Sequence, residues 1–174
     1  STTYTGRSGV SLNSFVRRAA FALRFGEIEP LISSNLTARS KVIYVRDVKE
    51  RVRKVAPYLT LDTDPYPVMI DGRIKYVIDG YTLADTYPYA EGVEAGDVDP
   101  ALSGNFNYIR NSVKAVVDAY DGTVKLYLAD TLYGGKKDPI IRAYAAAFPG
   151  LYDSDIPESL SRHFRYPELL FKVQ

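Results

Sequence analysis

The sequence contains no cysteine and no tryptophan, and only one histidine and one methionine. Without cysteine there can be no thiolate zinc site, iron–sulfur cluster, thiol nucleophile or disulfide; with His163 alone, a metal site needing two imidazoles is excluded as well. Long apolar runs are also missing. No stretch approaches the roughly 18–20 residues of a spanning helix, and the opening STTYTGRSG is neither signal peptide nor transit sequence, so the chain as it stands is expected to be soluble. Nor is there an excess of one charge: 22 Lys+Arg face 21 Asp+Glu, a net of +1. With no basic-aromatic module either, nucleic acid is not an expected partner. The missing cysteine leaves the compartment open.

What is present suits an ordinary domain. At 174 residues and 46% hydrophobic content, roughly two-thirds of the unfolded surface can be buried without help from a metal. Charge is uneven along the chain. Arg39 to Lys54 carries seven bases against Asp47 and Glu50, whereas Asp62 to Asp99 carries nine acids against Arg73 and Lys75. A basic helix beside acidic loops can steer a partner or meet anionic head groups, but a solvated helix face is the plainer reading.

Ser11 to Phe25 places Leu12, Phe15, Ala19 and Ala22 at helical spacing and stops at Gly26, which predicts a mostly buried helix, with a further short turn over Glu27 to Ser34. Val42, Val45, Val48, Val52 and Val55 predict another over Ser40 to Ala56, ended by Pro57, with Asp47 able to cap a second segment if the helix breaks there. The middle of the chain changes period. Pro67 to Ile70 and Arg73 to Asp79 flank Asp71-Gly72, a type I′ hairpin signal. Ser112 to Tyr120 and Thr123 to Ala129 flank Asp121-Gly122, a second copy of that device. Between the hairpins, Tyr81 to Asn107 reads as a long loop. Asp138-Pro139 then opens a helix over Ile140 to Phe148, and Ile156 to Phe164 and Pro167 to Val173 form two more.

This pattern predicts an α+β fold: an antiparallel sheet of about four strands, made of two Asp-Gly hairpins, with flanking helices at both ends. Residues 39–130, a helix plus two hairpins, suit a cystatin-like arrangement. They sit between a helical N-terminal part, 1–38, and C-terminal helices, 131–174, the whole of 1–174 reading as a single domain.

No catalytic constellation emerges. Asp62-Thr63-Asp64 has a bare D-x-D spacing without a nucleotide-binding context, and reads as an acidic turn. Asp79, Asp118 and Asp121 can gather for calcium or acid–base work, yet Asp71, Asp79 and Asp121 each precede glycine, which turn formation explains. His163 lies between arginines that discourage an imidazolium, and no G-x-S-x-G elbow exists to pair with it. Thr5 to Gly9 lacks phosphate-loop spacing. No metal and no cofactor is therefore expected. Fifteen tyrosines are more suggestive: Tyr81, Tyr87 and Tyr89, with Asp85 among them, offer a surface for stacking on sugars or packing against a partner. Three Tyr-Pro steps, at Pro67, Pro88 and Pro167, raise the chance of cis bonds.

Several long stretches go further: YTGRSGVSLNSFVRRAAFALRFG, RDVKERVRKVAPYLTLDTDPYPVMIDGRIKYVIDGYTLADTYPYA, NYIRNSVKAVVDAYDGTVKLYLAD, DPIIRAYAAAFPGLY and HFRYPELLFKVQ. Together, and in this order, they resemble uncharacterised protein family 0182, large multi-spanning membrane proteins of prokaryotes. The most specific stretches are Asp79 to Tyr89, Asn107 to Val124 and Arg165 to Gln174. The resemblance implies a piece of the water-soluble region that follows the transmembrane helices, outside the cytoplasmic membrane, with both chain ends falling in mid-protein. It brings no activity and no site residues.

Two functions are weighed. The first is a non-enzymatic extracytoplasmic domain serving assembly, sensing or gating, whose partner is the remainder of the same membrane protein, with self-association through surface its neighbours normally cover. The second is a cell-envelope glycan-binding module or enzyme built on Tyr81, Asp85, Tyr87 and Tyr89, with Asp79, Asp85 and Asp118 as candidate acids.

Overall fold

A computed structural model describes residues 4–6, 8–37, 39–99 and 104–173. Arg7 of the Thr5 to Gly9 segment and residues 100–103 of the expected long loop lie outside them. The chain divides into two compact units, Ser1–Arg46 and Asp47–Gln174.

In the first unit β1 (Val10–Ser11) is followed by α1 (Phe15–Phe25), α2 (Glu29–Ile32) and β2 (Lys41–Val42), which pairs antiparallel with β1. The Ser14 side chain caps α1 by accepting from the Arg17 N–H, and Gly26 ends it at φ 70°, where a Cβ is disfavoured. Only Leu12 and Ala22 are buried apolar residues among those described in this unit. The expected mostly buried helix is therefore corrected: Phe15, Val16, Leu23 and Phe25 are exposed. Its apolar residues spread around the cylinder, and only the narrow Ala22 side meets the unit's interior.

The expected helix over Ser40 to Ala56 is also corrected. Lys41 and Val42 are paired in β2, and helix begins only at α3 (Val48–Val55) in the second unit. The β-branched run Val42, Ile43, Val45 favours extended backbone, and the Asp47 carboxylate accepts from the Glu50 N–H at 2.7 Å, starting the helix where a capping segment break was foreseen.

The second unit continues with β3 (Thr60–Leu61), β4 (Tyr66–Ile70), β5 (Arg73–Ala84), β6 (Val93–Glu94), α4 (Ala95–Val98), β7 (Asn105–Phe106), β8 (Tyr108–Asp118) and β9 (Val124–Leu128). A 3₁₀ turn (Leu132–Gly134), α5 (Pro139–Ala147), β10 (Tyr152–Asp153), α6 (Glu158–Ser161) and α7 (Glu168–Val173) complete it. The fold is α+β. Its main sheet has six strands in the order β10-β9-β8-β5-β3, with β4 also on β5; β10 joins β9 in parallel and the other pairings are antiparallel. The expected sheet of about four strands is thus corrected to six: β4, β5, β8 and β9 all lie in it, but β10 is added beside β9, and β3 shares the outer side of β5 with β4.

The first hairpin turns at Asp71 and Gly72, both at positive φ (52° and 71°), as a type I′ turn requires. The second does not copy it. Val117 pairs with Val124, and β8 ends at Asp118, so residues 119–123 form a longer loop in which only Gly122 takes positive φ. Asp118 accepts from the Tyr120 and Asp121 N–H groups and Asp121 from that of Thr123, so these acids build the turn themselves. The expected loop from Tyr81 is shortened: β5 runs on to Ala84 because Tyr81 to Ala84 pair with Tyr108 to Asn111, after a bulge at Gly80/Tyr81. All peptide bonds of the described residues are trans, the Tyr-Pro steps included.

Strand alternation sends neighbouring residues to opposite faces. Ile78, Val113, Ala115, Val117, Leu126 and Leu128 meet Val52 and Ala56 at α3 and Ile141 of α5. On the other face Val77, Val116 and Tyr127, with Tyr66, Val68 and Ile70 of β4, meet Leu160 of α6, Ile156 and Phe164. The sheet is covered on both sides.

Candidate functional site

The tyrosine segment divides at the end of β5. Tyr81 lies within the strand, fully buried, and its hydroxyl donates to Asp62 Oδ2 at 2.7 Å; burial raises its pKa, helped by the charges of Asp79 and Asp62. Asp85, Tyr87 and Tyr89 follow in the exposed turn. The structure keeps these three on one short segment and leaves Tyr81 in the interior.

That turn is held by Asn107, just before β8. Its Oδ1 accepts from the Tyr87 N–H at 2.9 Å, and its Nδ2 donates to the Tyr87 carbonyl at 2.8 Å. One side chain thereby completes what a strand neighbour would offer Tyr87 on both polar groups. The Tyr87 ring stacks on Tyr108 with centroids 5.3 Å apart. Tyr89 is fully exposed and sits at φ 59°, an uncommon conformation for an aromatic residue.

Behind Tyr108 lies a polar hub. Asp138 caps α5 by accepting from the Ile140 N–H at 2.9 Å, and also accepts from the hydroxyls of Tyr108 (2.8 Å), Thr82 (2.5 Å) and Ser112. Its own N–H donates to Asp130 Oδ2, and Arg142 grips both Asp130 oxygens at 2.8 and 2.6 Å. Burial works to raise the Asp138 pKa, but the donors from Ser112, Thr82, Tyr108 and Ile140 outweigh it and hold the carboxyl below its ordinary value. Conversely the Tyr108 hydroxyl is pushed up to about 12, by burial first and then by its bond to Asp138. The group is tuned to stay an anion among neutral donors.

On the opposite face of the sheet, Asp79 and Lys114 stand opposite each other in register across β5 and β8 and form a buried ion pair. Asn111 Nδ2 also donates to Asp79 at 2.9 Å, and Lys114 Nζ donates to the Arg165 carbonyl at 3.0 Å and lies 5.5 Å from the Phe164 ring centre. Burial drives the Asp79 pKa up and the Lys114 pKa down, with mutual attraction pulling each back. The pair fastens the segment before α7 to the sheet. Asn111 Oδ1 is buried without a protein hydrogen bond.

The remaining candidates are dispersed. Asp62 accepts from the Asp64 N–H as an Asx turn; Asp118 and Asp121 share Arg73 at 3.0 and 3.6 Å; His163 is exposed, with Nδ1 2.9 Å from the Ser159 carbonyl. Among the described residues no three His, Asp or Glu side chains gather as a metal site would need. The basic helix is used locally: Arg51 donates to the Gly122 carbonyl, Lys49 to that of Thr63, and Lys54 pairs with Glu50. Sequence reasoning missed Asn107, Tyr108 and the hub around Asp138. Asp138-Pro139 signals a cap, but nothing local tells that hydroxyls from residues 82, 108 and 112 converge on it.

A family profile described as "Uncharacterised protein family (UPF0182)" matches residues 1–174. A UPF0182 protein of Frankia alni is 51% identical over 187 residues, covering 99% of this chain and 18% of the relative. Relatives in Salinispora arenicola (50% over 186 residues, 18% of the relative) and Bifidobacterium longum (46% over 187 residues, 17% of the relative) match in the same way. The chain thus spans about 18% of the length of the curated relatives it matches. No solved structure matches. With the profile covering every residue and a relative identical at about half of the positions, the chain belongs to the UPF0182 family.

Proposed function

We propose that this chain is a non-catalytic domain of a larger membrane protein, standing on the extracytoplasmic side of the cell membrane and serving assembly, sensing or gating of the membrane part. One observation carries the reading: the charged side chains buried among the described residues of the sheet unit tie one element to another. Asp138 joins α5 to β5 and β8, Arg142 and Asp130 fix the start of that helix, and Asp79 with Lys114 fastens the C-terminal segment. Catalysis calls for such a group aimed at a space a substrate can reach. The sheet packed on α3 is also what a cystatin-like arrangement of residues 39–130 calls for. The sequence resemblance to multi-spanning proteins supports the membrane setting, and the relatives' greater length supports the remainder of the same protein as the partner.

The placement is tested by Tyr89→Cys in the full-length protein, in a background whose other cysteines are replaced. Tyr89 is fully exposed and the present chain brings no competing thiol. A membrane-impermeant maleimide is expected to label it in intact cells; labelling only after lysis overturns the extracytoplasmic side. No helix among the described residues is long and apolar enough to cross a membrane, so the embedding must be sought elsewhere in the parent.

A second reading, an envelope glycan-binding module, is favoured by Tyr89, held exposed at positive φ, and by the Tyr87–Tyr108 stack beside it. In that reading Asp85, Tyr87 and Tyr89 meet the sugar, and Tyr81 positions the strand beneath them.

A further inference from the structure

The first unit presents a feature that neither reading uses. Val16, Ala19, Ala20 and Leu23 follow i, i+3, i+4, i+7 spacing, so they form one stripe along α1. That stripe is turned outward: Val16 is 75% and Leu23 87% exposed, and Phe15 at its edge is 73% exposed. The short helix α2, which packs against α1, adds Ile32 at 75%, and its N-cap Ile28 is 67% exposed. Six large apolar side chains, Phe25 among them, are exposed within eighteen residues, against Leu12 and Ala22 as the buried apolar residues among those described in this unit. Such a surface marks a contact, not a finished exterior.

The charges beside the stripe say what it contacts. The eleven residues of α1 include Arg17, Arg18 and Arg24 and no acid. Arg17 and Arg24, seven residues apart, are both exposed along one flank of the stripe, whereas Arg18 is turned inward onto the Leu12 and Leu36 carbonyls. Residues 1–46 carry seven Lys or Arg against Glu27 and Glu29 alone. Two copies of this basic unit repel when stripe meets stripe, so such self-pairing is a poor cover; an anionic surface is a good one. A helix with an apolar face, arginines at its border and little net hydrophobicity suits the head-group region of a bilayer, where the guanidinium stems lie along the acyl boundary and the heads reach phosphate. Beside α1, Phe21, Phe25 and Tyr44 line an open cleft of about 390 Å³ whose wall also carries Arg46 and Glu27.

We propose that α1 and α2 of the first unit dock on an anionic lipid surface through Phe15, Val16, Leu23, Ile28 and Ile32, with Arg17 and Arg24 facing the phosphates. This deepens the reading above by naming lipid as a partner, and rests on it only in requiring a bilayer within reach.

The test is co-sedimentation of the whole 174-residue chain with vesicles of phosphatidylcholine alone and of phosphatidylcholine mixed with phosphatidylglycerol. Binding is expected to the mixed vesicles and to weaken as salt is raised. Leu23→Asp should lower the partition coefficient about tenfold or more, because it places a charge in the inserted stripe, while leaving the melting temperature unchanged, because Leu23 buries nothing in the free protein. Arg24→Gln should lower binding to the mixed vesicles about fivefold and leave any binding to neutral ones unaltered. Equal binding to both vesicle types, no binding to either, or unchanged binding by Leu23→Asp overturns the proposal. So does a concentration-dependent dimer that Leu23→Asp dissolves, which assigns the stripe to a second copy. Failure here leaves the maleimide result standing, and cytoplasmic labelling of Tyr89→Cys leaves the vesicle result standing, so the two readings fall separately.

Discussion

Asp79 and Lys114 face each other across two central strands with almost no access to water, and burial moves both pKa values toward the neutral forms. Such a pair is costly to break and cheap to replace, since removing one partner strands a charge whereas removing both strands none. Asp79→Leu and Lys114→Met should each destabilise by about 3–5 kcal/mol. The double variant Asp79→Leu/Lys114→Met should return to within about 2 kcal/mol of the parent, the remainder being the Arg165 carbonyl and Asn111 amide that lose a partner. Urea denaturation of the four proteins measures this. Additive costs would mean that the two side chains act separately and that the register pairing carries no coupling.

At the scale of elements, the β4–β5 hairpin is where local chemistry and fold agree most closely. Its turn demands positive φ at two positions, which Gly72 meets freely and Asp71 only at a cost. Asp71→Asn should therefore raise stability by a few tenths of a kcal/mol, since asparagine is the better residue at that position; a fall in the thermal midpoint would mean the carboxylate has a role of its own. This hairpin was legible because alternation and turn residues lie side by side, and so was α5, whose Asp-Pro start and Pro-Gly end are local signals. The far half of β5 was not. Tyr81 to Ala84 read as loop because what holds them, pairing with residues 108–111, lies some 27 positions away in sequence and carries polar side chains on both strands. Thr82, Asn111, Ser112 and Lys114 are buried, which a hydrophobic pattern cannot foretell when their partners come from residues 79, 138 and 165. The same holds for the candidate site: Tyr87 and Tyr89 are on the surface as their Pro-rich turn suggests, while Asn107 and Tyr108, which fix that turn, were visible only in three dimensions.

At the scale of the molecule, the two units differ in what can hold them together. Both apolar clusters draw all their residues from positions 48 to 164, and every strand of the main sheet lies there too. Among its described residues the first unit has a two-residue β1–β2 pairing, Leu12 and Ala22 as buried apolar residues, and a helix whose Phe15, Val16 and Leu23 face water. Chains of about 40 residues seldom fold on so little core without a disulfide, a metal or a partner, and this one has no cysteine. Residues 47–174 produced alone should therefore keep a single cooperative thermal transition within a few degrees of that of the whole chain. Residues 1–46 alone should show none in water, gaining helical circular dichroism only when the phosphatidylglycerol vesicles are added. A loss of cooperativity in 47–174 would mean that the sheet unit depends on the first 46 residues and that the division into two units is not an energetic one. If it stays cooperative, stability and attachment belong to different parts of the chain. A core that needs no neighbour then carries a weakly held segment whose order comes from the surface it meets.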